Sequence, residues 1–170
     1  MMSCELNEQD KPAKAMKSVE QEVFLNVLKA ADVLAAELAD VLKPSGLSPT
    51  QYNVLRILRG KCAGCCAGGH VDPGAQGIPC REIGERMITR DPDITRLLDR
   101  LEDRGLITRG RDSADRRVIN IRISESGLEL IATLDQPVLD LHKRQLGHLG
   151  QEKLNQLVRL LEEVRSKCKG

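Results

Sequence analysis

The sequence predicts a mainly α-helical fold with a single small β-hairpin, and three observations lead to it. Apolar residues recur at spacings of three and four through both ends of the chain, the signature of amphipathic helices. One stretch, Val118 to Ile123, alternates instead, with Ile119, Ile121 and Ile123 on one side. Helix starts are marked by Ser or Asp followed by Pro, and helix ends by Gly.

Residues 1–17 are polar, include scattered lysines and hold no apolar run long enough for a signal peptide or a membrane span; a loose arm on a soluble, cytoplasmic protein is expected. An amino-terminal helix follows within 18–46, placing Val23, Val27, Ala30, Leu34, Leu38 and Val41 on one face until Pro44, Ser45 and Gly46 break the pattern. Ser48-Pro49-Thr50-Gln51 combines an N-cap, a proline at the first helical position and a capping-box glutamine, opening a helix through Val54, Leu55 and Leu58 to about Gly60. The glycine-rich stretch 61–77 has no apolar period, so a long loop is expected there. Pro79 to Met87 fits a short helix that buries Ile83 and Met87.

A further helix start comes at once, with Asp91 expected as N-cap, Pro92 at the first helical position and Asp93 favouring the positive end of the dipole. Ile94, Leu97, Leu98 and Leu101 share a face, and Gly105 suits a left-handed cap. Leu106 to Arg109 and Val118 to Ile123 then make the hairpin, around the charged turn Gly110 to Arg116. Ser124 to Gly127 opens a helix carrying Leu128, Ile131, Leu134, Val138 and Leu141, in which Pro137 is expected to introduce a kink. Beyond Gly147 and Gly150 a last helix bears Leu154, Leu157, Leu161 and Val164.

Two short helices, a third after a tight turn, and a hairpin is the order of a winged helix-turn-helix, in which the third helix enters the DNA major groove and the hairpin tip reaches the adjacent backbone or minor groove. Composition narrows the partner. A formal net charge of +1 gives no general basic field, so any DNA contact must come from local placement. Phe24 and Tyr52 are the only aromatics, which excludes a stacking surface for single-stranded nucleic acid. On the third helix Thr95, Arg96, Asp99 and Asp103 point outward with Arg100 on the flank; Thr95 and Arg96 can reach base edges or phosphates, and Asp99 can accept from cytosine or orient an arginine. The plainer reading of the same face is a solvated surface stitched by charge pairs.

The run Asp112-Ser113-Ala114-Asp115-Arg116-Arg117-Val118-Ile119-Asn120-Ile121-Arg122-Ile123-Ser124-Glu125-Ser126-Gly127 resembles the wing of MarR-family transcriptional regulators, an acidic-x-Arg tip leading into a strand and a Ser-x-x-Gly helix start. Thr95 to Leu106 resembles that family's recognition helix and its exit, and the resemblance extends over 47–127. It implies that Arg117 enters the minor groove, that Asp115 holds it, and that Arg116 meets phosphate; Arg90, Thr95, Arg96 and Arg100 complete the implied DNA-binding set. It further implies a homodimer on a pseudo-palindromic operator, with a dimerisation helix over 18–46, the winged helix-turn-helix over 47–124 and dimerisation helices over 125–170, and a repressor released by a small effector.

The chain departs from the family pattern at 61–77, where a cysteine-rich insertion replaces a short connection. Cys62 and Cys65 have zinc-knuckle spacing, Cys66 or His70 supplies a third candidate ligand and Cys80 a fourth, so zinc is one reading; a thiol switch and an incidental flexible insertion are the others. The redox-sensing members carry their reactive cysteine in the first helix, where this chain has none. No acid/base constellation accompanies these cysteines, so no enzyme is expected. A winged-helix protein-interaction module without DNA affinity, or a thiol- or metal-sensing protein, is the alternative.

Overall fold

The computed structural model describes residues 18–62, 77–88, 93–111 and 117–167. The chain divides into two compact units, Met1–Ala36 and Glu37–Gly170. Helix α1 spans Val19–Leu42, the range its periodicity predicts. Within the first unit its apolar residues are exposed, Val23, Phe24, Val27 and Leu28 among them.

The second unit holds the core. Helix α2 (Pro49–Cys62) begins with the reciprocal capping box read from the sequence: Ser48 N donates to Gln51 Oε1 at 3.0 Å, and Gln51 N donates to Ser48 Oγ at 3.2 Å. It continues two residues past Gly60, where the sequence had suggested a stop. Strand β1 (Ile78–Pro79), helix α3 (Cys80–Arg86), helix α4 (Ile94–Asp103), strands β2 (Ile107–Arg111) and β3 (Ile119–Ile123), and helices α5 (Glu125–Leu146) and α6 (Gly150–Lys167) complete the order. Leu55, Leu58, Ile83, Leu98, Leu101, Ile121 and Ile131 belong to one buried cluster, closed by α2 packing on α5 and β3. Burial of such side chains, about 1.5–3 kcal/mol each, is what holds these short elements together.

Three expectations are corrected. The sheet has three strands, not two: the order is β1-β3-β2, with Ile78 opposite Ile121 and Pro79 opposite Asn120. Two residues ending in proline carry no alternation to read, and proline is tolerated at a sheet edge. The strict alternation of β3 also fails. Ile119 is 51 % exposed while Asn120 is buried, because Ile119 lies at the hairpin end beyond the core and Asn120 lies beneath Gly77, whose missing Cβ would stand 2.8 Å from Asn120 Cβ. Finally, α4 is capped by Asp93, whose carboxylate accepts from Arg96 N at 3.4 Å; Asp91 and Pro92 lie outside the described residues. Asp93 wins because its own backbone is non-helical, φ −120° and ψ 48°, while its side chain reaches the third amide of the helix.

The end of α4 and the start of α5 behave as read. Leu106 N donates to Leu101 O (3.0 Å) and Gly105 N to Glu102 O (2.7 Å), a Schellman closure through Gly105 at φ 68°. Ser124 caps α5 by accepting from Gly127 N at 3.0 Å, and Leu128, Ile131, Leu134, Val138 and Leu141 are all buried. Helix α5 runs as a single element through Pro137. No described helix is long and apolar enough to cross a membrane.

Candidate nucleic-acid interface

Helix α4 is amphipathic in the sense a recognition helix requires. Leu97, Leu98 and Leu101 are buried against the core, which turns Thr95, Arg96 and Arg100 outward, all exposed. Both ends are anchored. At the start Asp93 accepts from Arg96 N, and Arg96 Nε lies 3.1 Å from Asp93 Oδ2. At the end Arg104 donates from Nη1 to Gly46 O (2.8 Å) and from Nη2 to Ser45 O (2.9 Å), fixing the helix to the turn that follows α1. Among the described residues Arg100 takes part in no ion pair, leaving its guanidinium open to solvent.

An arginine fastens the hairpin to this helix. Arg109 on β2 places Nη2 2.6 Å from Asp99 Oδ1 and Nη1 3.3 Å from Glu102 Oε2, with a longer 3.5 Å contact to Thr95 O. Asp99 therefore orients an arginine, one of the two roles its position suggested. Below the clamp, Ser124 Oγ donates to Gly105 O (2.6 Å) and Ser124 N to Leu106 O (3.0 Å), so that the wing's exit is tied to the exit of α4. Gly127 completes the junction: a Cβ there would stand 2.2 Å from Leu106 O and 2.8 Å from Ile123 Cγ1. The Ser-x-x-Gly pattern thus has a physical cause, a capping hydroxyl at one position and the absence of a side chain at the other.

Of the DNA-binding set expected from sequence, the structure brings Thr95, Arg96 and Arg100 onto one exposed helix face and places Arg117 exposed just before β3. Arg90, Asp115 and Arg116 lie outside the described residues. Arg104 and Arg109 were not singled out by sequence. The signal for Arg109 was weak, an arginine following Leu106-Ile107-Thr108, and its partners come from another element.

For the cysteine-rich segment, Cys65, Cys66 and His70, with the side chain of Cys62, lie outside the described residues. Among the described residues no group of three or more His, Cys, Asp or Glu side chains could hold a metal. Cys80 is half-buried at the start of α3; burial pushes its thiol pKa up and so disfavours the reactive thiolate, and the nearby Arg109 charge opposes that shift only in part.

Residues 75–119 match the model of the MarR family. The chain is also similar to a MarR transcription factor from Planctomyces limnophilus, at 38 % identity over 87 % of this chain and 98 % of that one, with a TM-score of 0.60. The chain belongs to the MarR family. Members of this family are transcription regulators rather than enzymes, and the mainly helical winged fold agrees with that of its solved structures. Among more distant structures of the same fold, CouR from Rhodococcus jostii RHA1 bound to p-coumaroyl-CoA is 23 % identical, covering 88 % of this chain and 95 % of that one, with a TM-score of 0.70. The S. aureus MepR–DNA complex is 19 % identical, covering 89 % of this chain and 99 % of that one, with a TM-score of 0.67.

Proposed function

We propose that this MarR-family regulator is a cytoplasmic, homodimeric repressor that binds a pseudo-palindromic operator. The observation that carries the reading is α4: a helix with a buried leucine face, anchored at both ends, that presents Thr95, Arg96 and Arg100 outward beside the hairpin. Such a helix fits the major groove, where arginine pairs with guanine and threonine meets either a base edge or a thymine methyl. Arg117 serves the minor groove, Asp115 holds it, Arg116 meets phosphate, and Arg90 completes the DNA-contacting set. The MepR–DNA complex supports the assignment at the level of the fold.

The second copy is taken to pack on the terminal helices. In α6, Leu157, Val158, Leu160, Leu161 and Val164 are exposed, and in the first unit so are Val23, Phe24 and Val27, apolar residues that a second copy would cover. A two-fold axis would set the half-sites about one helical turn, roughly 10–10.5 base pairs, apart. Release from DNA follows the binding of a small effector, as CouR's bound p-coumaroyl-CoA suggests, or a change at Cys62, Cys65, Cys66, His70 and Cys80, by zinc or by oxidation.

Arg117→Ala tests the DNA reading: operator affinity falls by about 1–3 kcal/mol at fixed salt while far-UV circular dichroism is unchanged. Unchanged affinity removes the wing assignment. Zinc is tested by metal analysis of protein purified under reducing, chelator-free conditions, compared with a Cys62→Ser, Cys65→Ser variant.

A further inference from the structure

The charged residues of α4 are Arg96, Asp99, Arg100, Glu102 and Asp103, three carboxylates against two guanidinia. Taken alone, this helix carries an excess of negative charge, an unsuitable surface to bring against phosphates. The charges are not mixed at random. At about 100° per residue, Thr95, Asp99 and Glu102 fall along one flank and Arg96 and Arg100 along the other, with Asp103 between the two, next to Arg96. The acidic flank is the one turned toward β2, and Arg109 covers it, reaching Asp99 at 2.6 Å and Glu102 at 3.3 Å from a side chain only 27 % exposed. Arg109 is the central residue of the edge strand β2, paired opposite Ile121 of β3.

We propose that Arg109 is a positioning residue for DNA recognition: it neutralises the Asp99 and Glu102 carboxylates on the flank α4 turns to the wing, beside the residues it turns to DNA, and locks the wing strand to the recognition helix. The inference rests on the DNA-binding reading above. With Asp99 engaged, it does not read cytosine; Thr95, Arg96 and Arg100 are left to discriminate, and guanine, the bidentate partner of arginine, becomes the favoured base of each half-site. Arg109 itself touches no base.

The role separates from a direct phosphate contact and from simple fold support by rescue. Operator DNA binding is measured by fluorescence anisotropy for the wild type, Arg109→Gln, Arg109→Lys, and Arg109→Gln combined with Asp99→Asn, each over a series of salt concentrations. Loss of the mask in Arg109→Gln weakens binding by about tenfold or more, because two uncompensated carboxylates now lie between helix and wing, close to the phosphates. Arg109→Lys keeps the charge but not the two-pronged reach to both carboxylates, and falls between wild type and Arg109→Gln. The double variant regains part of the loss, since one of the two uncovered charges, the more closely paired Asp99, has been removed. A double variant as weak as Arg109→Gln overturns the masking role, and so does a salt slope reduced by about 0.9 in Arg109→Gln, the mark of a lost phosphate contact. Binding unaffected by Arg109→Gln overturns it as well. Failure of the wild type to bind DNA overturns the DNA-binding reading itself and the inference with it.

Discussion

Gly127→Ala should be among the most damaging single-methyl changes available in this protein. The added Cβ would lie 2.2 Å from Leu106 O, 2.8 Å from Ile123 Cγ1 and 3.2 Å from Leu106 C. Two of these three atoms are backbone, and they cannot retreat cheaply. Leu106 O accepts from Ser124 N at 3.0 Å, and Leu106 N closes the Schellman turn on Leu101 O at 3.0 Å. Relief therefore requires α5 to lift from the wing, loosening the Ser124 cap. Overpacking costs about 1–3 kcal/mol, and a weakened cap adds about 1 kcal/mol. The expected loss is about 2–4 kcal/mol, or about 4–16 °C in Tm for a domain of this size. Gly60→Ala is the internal control. It adds the same methyl within α2 where nothing lies within 4 Å, and should stabilise by about 0.5–1 kcal/mol through helix propensity. Urea denaturation followed by circular dichroism, at one fixed protein concentration, measures both. Equal midpoints for Gly127→Ala and the wild type would refute the argument that this glycine exists for a close backbone approach.

Ser48→Ala should cost about 1 kcal/mol in the same assay, because it strips one half of the capping box and leaves Gln51 N without its acceptor. With every other cysteine replaced, Cys80 should alkylate more slowly at neutral pH than free glutathione, and its rate should go on rising at pH values where an ordinary thiol has levelled off. The same raised pKa means that the folded state holds this proton more tightly than the unfolded state. Its contribution to stability is complete below the ordinary thiol range and declines as pH rises through it, toward the pKa of the folded thiol. Leu157→Asp with Leu161→Asp on the exposed face of α6 should leave the helical spectrum unchanged and move sedimentation toward monomer. A wild type that sediments as a monomer would remove the dimer reading.

Much of the fold was legible because its signals are local. Ser48 and Gln51, Gly105, and Ser124 with Gly127 each act within one turn of chain, and each performs the task its spacing implied. The buried faces of α4 and α5 followed from periodicity alone. What escaped depends on contacts between segments remote in sequence. Strand β1 is two residues long and exists because β3 offers it an edge. Asn120 is buried by Gly77, not by any property of its own strand. The roles of Arg104 and Arg109 were hidden for the same reason: neither shows in sequence that it reaches Ser45 and Gly46, or Asp99 and Glu102. The outward residues Thr95, Arg96 and Arg100 could be named, whereas the masking of their acidic neighbours could not.

The central claim is specific DNA binding through α4 and the wing, and a gel shift tests it most directly. Purified protein is titrated against the intergenic DNA flanking its own gene at stated salt, with unrelated DNA as competitor, and with and without chelator and oxidant. The account predicts a retarded complex that survives competitor and is weakened by Arg117→Ala. No retardation at protein concentrations well above micromolar, in any of these conditions, would contradict it and favour a winged-helix module that binds other proteins.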